Sequence, residues 1–409
     1  MSIVTANVAE LQGLYGPYSF SEKLLQKIWL RGDFERATAM TTDGRRVRVL
    51  HPGKWNLLGG PDFRGARLSF CDGPEITGDV ELHLHASDWA AHGHARDAAY
   101  DGVVLHVVLF PPKAGEVTRG AGGREIPVLA LLPLLHHDLE AFAADDAVES
   151  LAQRPAGRII EELGGMAAAE LTTLLRGHAE KRWRLKVHFA RQRLKRLGWE
   201  AACHHAALEI LGYRFNRAPM LRLAGRFSLA DWKKGVIDPG QAWAAEAEAW
   251  SLQGVRPANQ PRTRLAQYGE WVRARPDWPE RLAGLAASWP KLAPAADTRA
   301  IRREHAFTKL RARIADDCTG ATLTGTRLDT LVCDGWLPLL GAREGEDGRL
   351  AGLWFHWFAG DLPPMLPTAL RQLGVLTAQQ PACNGFAQGL LGWFLERENA
   401  AVAPTGRGA

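Results

Sequence analysis

Leu24-Leu25 and Ile28-Trp29-Leu30 recur at helical spacing behind Ser21, so a first helix is expected, capped by Ser19 or Ser21 and ending near Gly32. After the Thr42-Asp43-Gly44 turn the apolar period shortens to that of strands. Val47 to Leu50, Ala66 to Phe70 and Gly78 to His85 read as strands, separated by turns at Pro52-Gly53, Gly59-Gly60-Pro61 and Asp72-Gly73-Pro74. A helix from Ser87 or Asp88 to Tyr100 is expected next. The near-continuous apolar run Val103 to Phe110 then reads as a buried strand, and Ile126 to Leu131 as an edge strand beyond the glycine-rich stretch Lys113 to Arg124.

From about Asp145 the texture changes to alanine, leucine, arginine and tryptophan at helical period, broken by Arg256-Pro257-Ala258-Asn259-Gln260-Pro261 and Leu362-Pro363-Pro364. The expected fold is therefore a small α/β domain over 1–145, a mainly helical region over 146–399, and a disordered tail over 400–409. With 409 residues, both parts are large enough to bury a core without disulfides or a structural metal.

Five scattered cysteines with no CxxC pair argue against a disulfide framework; each is expected to be a small buried hydrophobe. The N-terminus lacks a basic segment followed by an apolar core, and no run approaches a membrane span, so a cytoplasmic protein without membrane contact is expected. A net charge of +5 is compatible with a polyanionic partner and does not demand one. Lys181, Arg182, Arg184, Lys186, Arg191, Arg193, Lys195 and Arg196 mark a basic helix. It could contact phosphates, or be an ordinary solvated face opposite Trp183, Val187, Leu194 and Leu197; the ordinary account is preferred.

The chemistry concentrates between Pro61 and Leu109. If Asp79 to His85 is a strand, its period of two puts Asp79, Glu81, His83 and His85 on one face and Val80, Leu82 and Leu84 on the other. Asp62 at the foot of one strand, Glu81 on the next and His83 two residues beyond could hold magnesium or manganese against a phosphodiester, with His83 orienting or deprotonating the attacking water. Glu22 on the first helix could supply a further ligand. The same segment carries a second metal pattern, because His83 and His85 have the His-x-His spacing of zinc and iron sites, and His92, His94, Asp97 and His106 could complete it. Equally, His106 on its apolar strand could be a hydrogen-bonded core histidine.

The order helix, strand, strand, strand, helix, strand, with Pro61-Asp62 and Glu81-Leu82-His83, resembles the restriction-endonuclease-like PD-(D/E)XK nuclease superfamily. That resemblance implies a metal-dependent nuclease or phosphodiesterase with Asp62, Glu81 and His83 as its catalytic set. Histidine stands where that superfamily has lysine, replacing a permanent charge by a base. Along the whole chain, Leu25-Gln26-Lys27-Ile28-Trp29, Gly60-Pro61-Asp62-Phe63, Gly78-Asp79-Val80-Glu81-Leu82-His83, His92-Gly93-His94, Gly212-Tyr213 and Asn259-Gln260-Pro261 with Arg264 are similar to the domain of unknown function 2851 family, which implies no activity. Two other functions stay open: a non-catalytic nucleic-acid or protein-binding module on a degenerate nuclease core, and a histidine-based zinc enzyme.

Overall fold

The computed structural model describes residues 8–13, 16–57, 59–113, 115–135, 139, 142–143, 146, 157–213, 216–247, 249–252, 255, 257–345, 348–363, 365–377 and 380–402. The protein is mixed α/β, with an N-terminal sheet and a helical C-terminal half. It divides into two compact units at Asp146/Ala147.

In the first unit a hairpin, β1 (Val8–Gly13) and β2 (Gly16–Ser21), precedes helix α1 (Glu22–Arg31). The hairpin was not foreseen. The helix was: Ser21 caps it by accepting from the Leu24 amide, and Gly32 ends it in the left-handed region. The sheet follows as β3 (Val47–His51), β4 (Lys54–Trp55), β5 (Phe63–Phe70), β6 (Glu75–His83), helix α2 (Asp88–Ala91), β7 (Val103–Val108), β8 (Thr118–Arg119), β9 (Glu125–Ile126) and β10 (Val128–Ala130). The spatial order is β10, β7, β6, β5, β3, with β4 pairing β5. β3, β5 and β6 form an antiparallel meander, and β6, β7 and β10 run parallel. The crossover from β6 to β7 is what parallel pairing requires.

One sheet face carries Phe63, Ala66, Leu68, Val80, Leu82, Leu105 and Val107 into a core shared with Leu24, Leu25, Ile28 and Trp29 of α1. The opposite face is covered by the crossover, where Trp89 packs with Val103, Ile126 and Tyr100. Over the end of β6 and β7 both faces are therefore buried, so polar side chains directed to the second face there are enclosed, whereas at β3 and β5 that face carries exposed Arg48 and Arg67.

Three local expectations need correction. β6 ends at His83, so Leu84 and His85 lie beyond it. The helix expected up to Tyr100 is only one turn long: Gly93, with φ of +75°, stops it, and two short 3-10 turns (His94–Arg96, Ala98–Tyr100) complete the crossover. The C-terminal helix Asn384–Val402 continues past the expected tail boundary, and 403–409 lie outside the described residues.

In the second unit the basic segment falls within the helix Ala168–Leu197, with Trp183 and Val187 buried. Half of its eight cations are matched by acids: Lys181 with Glu396, Arg184 with Glu180, Lys186 with Asp334 and Arg193 with Glu209. That pairing fits the ordinary account of the helix. Cys203, Cys318, Cys333 and Cys383 are buried as expected, whereas Cys71 is exposed in the turn after β5. No helix among the described residues is long and apolar enough to cross a membrane.

Gly78 sits where β6 meets β7, and a Cβ there would lie 2.3 Å from Cγ1 of Val104 and 3.0 Å from the Gly102 carbonyl oxygen. A branched side chain on a packed strand has little freedom to retreat. Gly78→Ala should cost about 1–3 kcal/mol of unfolding free energy by urea titration; an unchanged midpoint would show that β7 yields at no cost.

Candidate metal centre

The enclosed second face of the sheet is where the chemistry gathers. β6 and β7 pair with Glu81 beside His106 and His83 beside Val108, so Glu81, His83 and His106 become neighbours under the crossover. All three are buried. His83 Nδ1 lies 2.9 Å from His106 Nε2, and His106 Nδ1 lies 2.8 Å from the Thr118 hydroxyl. On its other side, His83 Nε2 lies 3.1 Å from His92 Nδ1 and 3.2 Å from His94 Nε2.

Gly93 makes this possible. In a continuous helix, residues two apart do not share a face, so His92 and His94 could not both meet His83. With the chain reversed at Gly93, the ligand-capable nitrogens of His83, His92 and His94 lie within 4.8 Å of one another. Glu81 Oε1 adds a fourth donor, 3.5 Å from His83 Nε2 and 3.4 Å from His94 Nε2. Tyr100 stacks on His94 with ring centroids 3.8 Å apart, and Trp89 meets both His94 and His106 edge-on or tilted at 5.3 Å. His92 is exposed, which leaves the cluster open on that side.

Three groups approach one ring nitrogen, and hydrogen bonds can use it for only one of them: His92 Nδ1–H can donate to it while His94 Nε2–H donates to Glu81 Oε1. If His106 donates to Thr118, it accepts from His83 Nδ1–H, and His83 Nε2 is left with a single lone pair. A cation between the four donors would use the lone pairs that otherwise crowd each other. Bonds of about 2.0–2.2 Å around a tetrahedral ion imply donor separations of about 3.3–3.6 Å. The two separations to Glu81 Oε1, 3.4 and 3.5 Å, fall in that range, those from His83 to His92 and His94, 3.1 and 3.2 Å, are slightly shorter, and the three ring nitrogens lie within 4.8 Å of one another.

Electrostatics prepares the rings for this. Burial, reinforced by the neighbouring rings, lowers His83 to about 2, His106 to about 3 and His94 to about 4, so all three are neutral near pH 7. Neutral rings are the form that binds metal.

Asp62 stands on the other side of Glu81. It accepts from Gln26 Nε2 at 2.6 Å and from the Leu82 amide at 3.1 Å, while its own amide donates to Glu81 Oε2 at 3.0 Å. Gln26 in turn accepts from Trp55 Nε1. Burial, partly offset by these bonds, raises Asp62 to about 6. Burial, then the charges of Asp62 and Glu22, raises Glu81 to about 9. Glu22, first residue of α1, thus acts on Glu81 through space.

The other sequence candidates fall outside the cluster. His85 is exposed beyond the end of β6, stacked on Phe110, with its amide donating to Asp88. Asp97 is exposed and caps the turn at Ala99. Asp79 loses the phase of its neighbours at a register shift between Asp79 and Val80, and accepts from the Gly65 amide instead. Thr118 and Gln26 were missed as supporting residues; a threonine twelve residues beyond a histidine, across a glycine-rich loop, gives no local signal.

These features define a mixed α/β protein with a buried histidine and carboxylate cluster beneath a sheet crossover. The chain belongs to the family described as Protein of unknown function (DUF2851), whose model matches residues 22–245. Comparison with curated proteins finds no match, and neither does comparison with solved structures.

Glu81 offers a direct check on the electrostatics. A carboxyl raised from 4.5 to about 9 contributes stability that is present below pH 4.5 and is lost as pH rises toward 9, because the unfolded chain ionises first. Histidines buried in the neutral form act with the opposite sign just above pH 7, so the Glu81 contribution is read as the difference between the wild type and Glu81→Gln. Between pH 7 and 8.5 the metal-free protein should lose up to ~2 kcal/mol relative to Glu81→Gln, at about 1.4 kcal/mol per pH unit. Equal pH dependence of the two proteins in chemical denaturation would contradict a buried, protonated Glu81.

Proposed function

We propose that this protein is a metal-dependent hydrolase whose cation is held by His83, His92, His94 and Glu81. The observation that carries this is that His83 Nε2 lies 3.1–3.5 Å from ring nitrogens of His92 and His94 and from Glu81 Oε1, with the three ring nitrogens within 4.8 Å of one another. Imidazole-rich donor sets suit zinc and its transition-metal neighbours better than magnesium. Such an ion supplies a Lewis acid and an activated water near neutral pH. The chain's own residues hold it: His106 and Thr118 fix the proton on His83 Nδ1 and keep Nε2 available, and the exposed flank at His92 admits water and substrate.

A second assignment, a magnesium- or manganese-dependent nuclease using Asp62, Glu81, His83 and Glu22, is favoured by two observations. The elements run α1, β3, β5, β6, α2, β7, the order that the nuclease resemblance implies, and three acids influence one another around Glu81. A hard cation would relieve their repulsion. Nucleic acid as substrate, and the restriction-endonuclease-like fold itself, belong to this assignment.

Metal analysis of untagged protein separates the two. The histidine centre predicts about one equivalent of zinc-class metal after dialysis, lost in His92→Ala and His94→Ala and kept in Asp62→Asn. Thr118→Val should weaken metal binding about 10–100-fold while leaving the fold intact. Metal-free protein that cleaves DNA or RNA only with added magnesium or manganese, and no longer does so in Asp62→Asn, would replace the first assignment by the second.

A further inference from the structure

The helical half holds a second group of polar side chains that its own structure leaves unsatisfied. Arg264, in the first turns of the helix Pro261–Ala274, and Arg327, in the short helix Gly325–Thr330, are 9% and 7% exposed. Both donate to one oxygen, Asn259 Oδ1, at 2.6 and 3.2 Å. Arg264 also donates to Gln267 Oε1 at 2.7 Å. Arg327 donates to the Ile210 carbonyl at 3.3 Å, lies 4.6 Å above the Tyr213 ring and pairs with Asp361 at 2.8 Å. Among the described residues, neither Nε finds a hydrogen-bond partner.

Two guanidinium charges therefore share one carboxylate, which leaves the group one positive charge in excess. Among the partly buried arginines of this half, Arg176 also has an Nε without a hydrogen-bond partner but lies over the rings of Phe355 and Phe386, and others are matched by acids or carbonyls. Arg222 has Glu246 and Arg311 has Asp329. Arg302, without an acid contact, gives its donors to four backbone carbonyls. Arg264 has neither arrangement. Burial, then the charge of Arg327, lowers Arg264 to about 10, which leaves it charged at physiological pH. An uncompensated buried charge is costly, and the two Nε–H groups are the donors with which arginine grips oxyanions. Asp361, 31% exposed, marks the side that solvent reaches.

We propose that Arg264 and Arg327, framed by Asn259, Gln267 and Tyr213, bind a phosphoryl oxyanion, as inorganic phosphate or as the phosphate of a small ester. This site is separate from the histidine cluster and does not depend on the function assigned to it. Its occupancy restores charge balance and gives both Nε–H groups an acceptor.

The test is calorimetric titration of the full chain, in phosphate-free buffer at fixed ionic strength, with inorganic phosphate and with adenosine 5′-monophosphate. One equivalent should bind, and Arg264→Met should weaken binding about tenfold or more. Tighter binding of the ester than of the free ion assigns a phosphate ester; the reverse assigns inorganic phosphate. Arg264→Met should also raise the thermal midpoint in phosphate-free buffer, because it keeps the bulk and removes the unpaired charge. No binding of either probe at millimolar concentration, or equal binding by wild type and variant, overturns the proposal. Should Arg264→Met fail to fold, the wild type decides: a midpoint raised by phosphate and not by chloride supports the site, and an unchanged midpoint overturns it.

Discussion

A buried imidazole must be neutral and must place both of its ring nitrogens, and His83 is the side chain on which this requirement presses hardest. Nδ1 is taken by His106, which passes the demand on to Thr118. Nε2 faces His92, His94 and Glu81 together. Glu81 and His94 are buried, whereas His92 meets the cluster from its exposed side. Three polar groups thus crowd one ring nitrogen at the centre of the cluster.

The rest of the first unit can be understood as support for that point. Parallel pairing of β6 with β7 brings Glu81 and His83 beside His106, and it obliges the chain to cross over the same face. The crossover then carries His92 and His94 past His83, provided it breaks at Gly93. On the far side of Glu81, the Trp55, Gln26 and Asp62 chain ties the carboxylate to β4, α1 and the foot of β5. Packing of α1 against the opposite sheet face anchors the whole layer. The two halves of the molecule solve the same problem differently: in the first, uncompensated lone pairs converge, and in the second, uncompensated donors converge at Arg264 and Arg327.

Much of this could be read along the chain where it is local. The first helix, with its serine cap and glycine stop, follows from apolar spacing and from the side chains at its ends. The strands around Asp62, Glu81 and His106 follow from alternation and from apolar runs, within a few residues of their ends. The helix expected through Tyr100 stops early because Gly93 takes a left-handed backbone conformation that ends the turn. His85 was grouped with His83 by a period of two that stops applying where the strand stops. Sequence spacing named the histidines that come together, His83, His92 and His94, alongside two groups, His85 and Asp97, that lie outside the cluster.

The sequence by itself determined the division into an α/β part and a helical part, the positions of the main elements, and the segment that carries metal-competent side chains. Those properties depend on local period, turn chemistry and composition. The tertiary structure alone decided which of those side chains meet, because the choice rests on strand register, on the direction of the crossover and on one positive φ angle. It also decided that Thr118 supports His106 and that Arg264 and Arg327 share one asparagine oxygen. Contacts between residues far apart in sequence leave no periodic trace, since each partner satisfies its own local pattern whether or not the other is present.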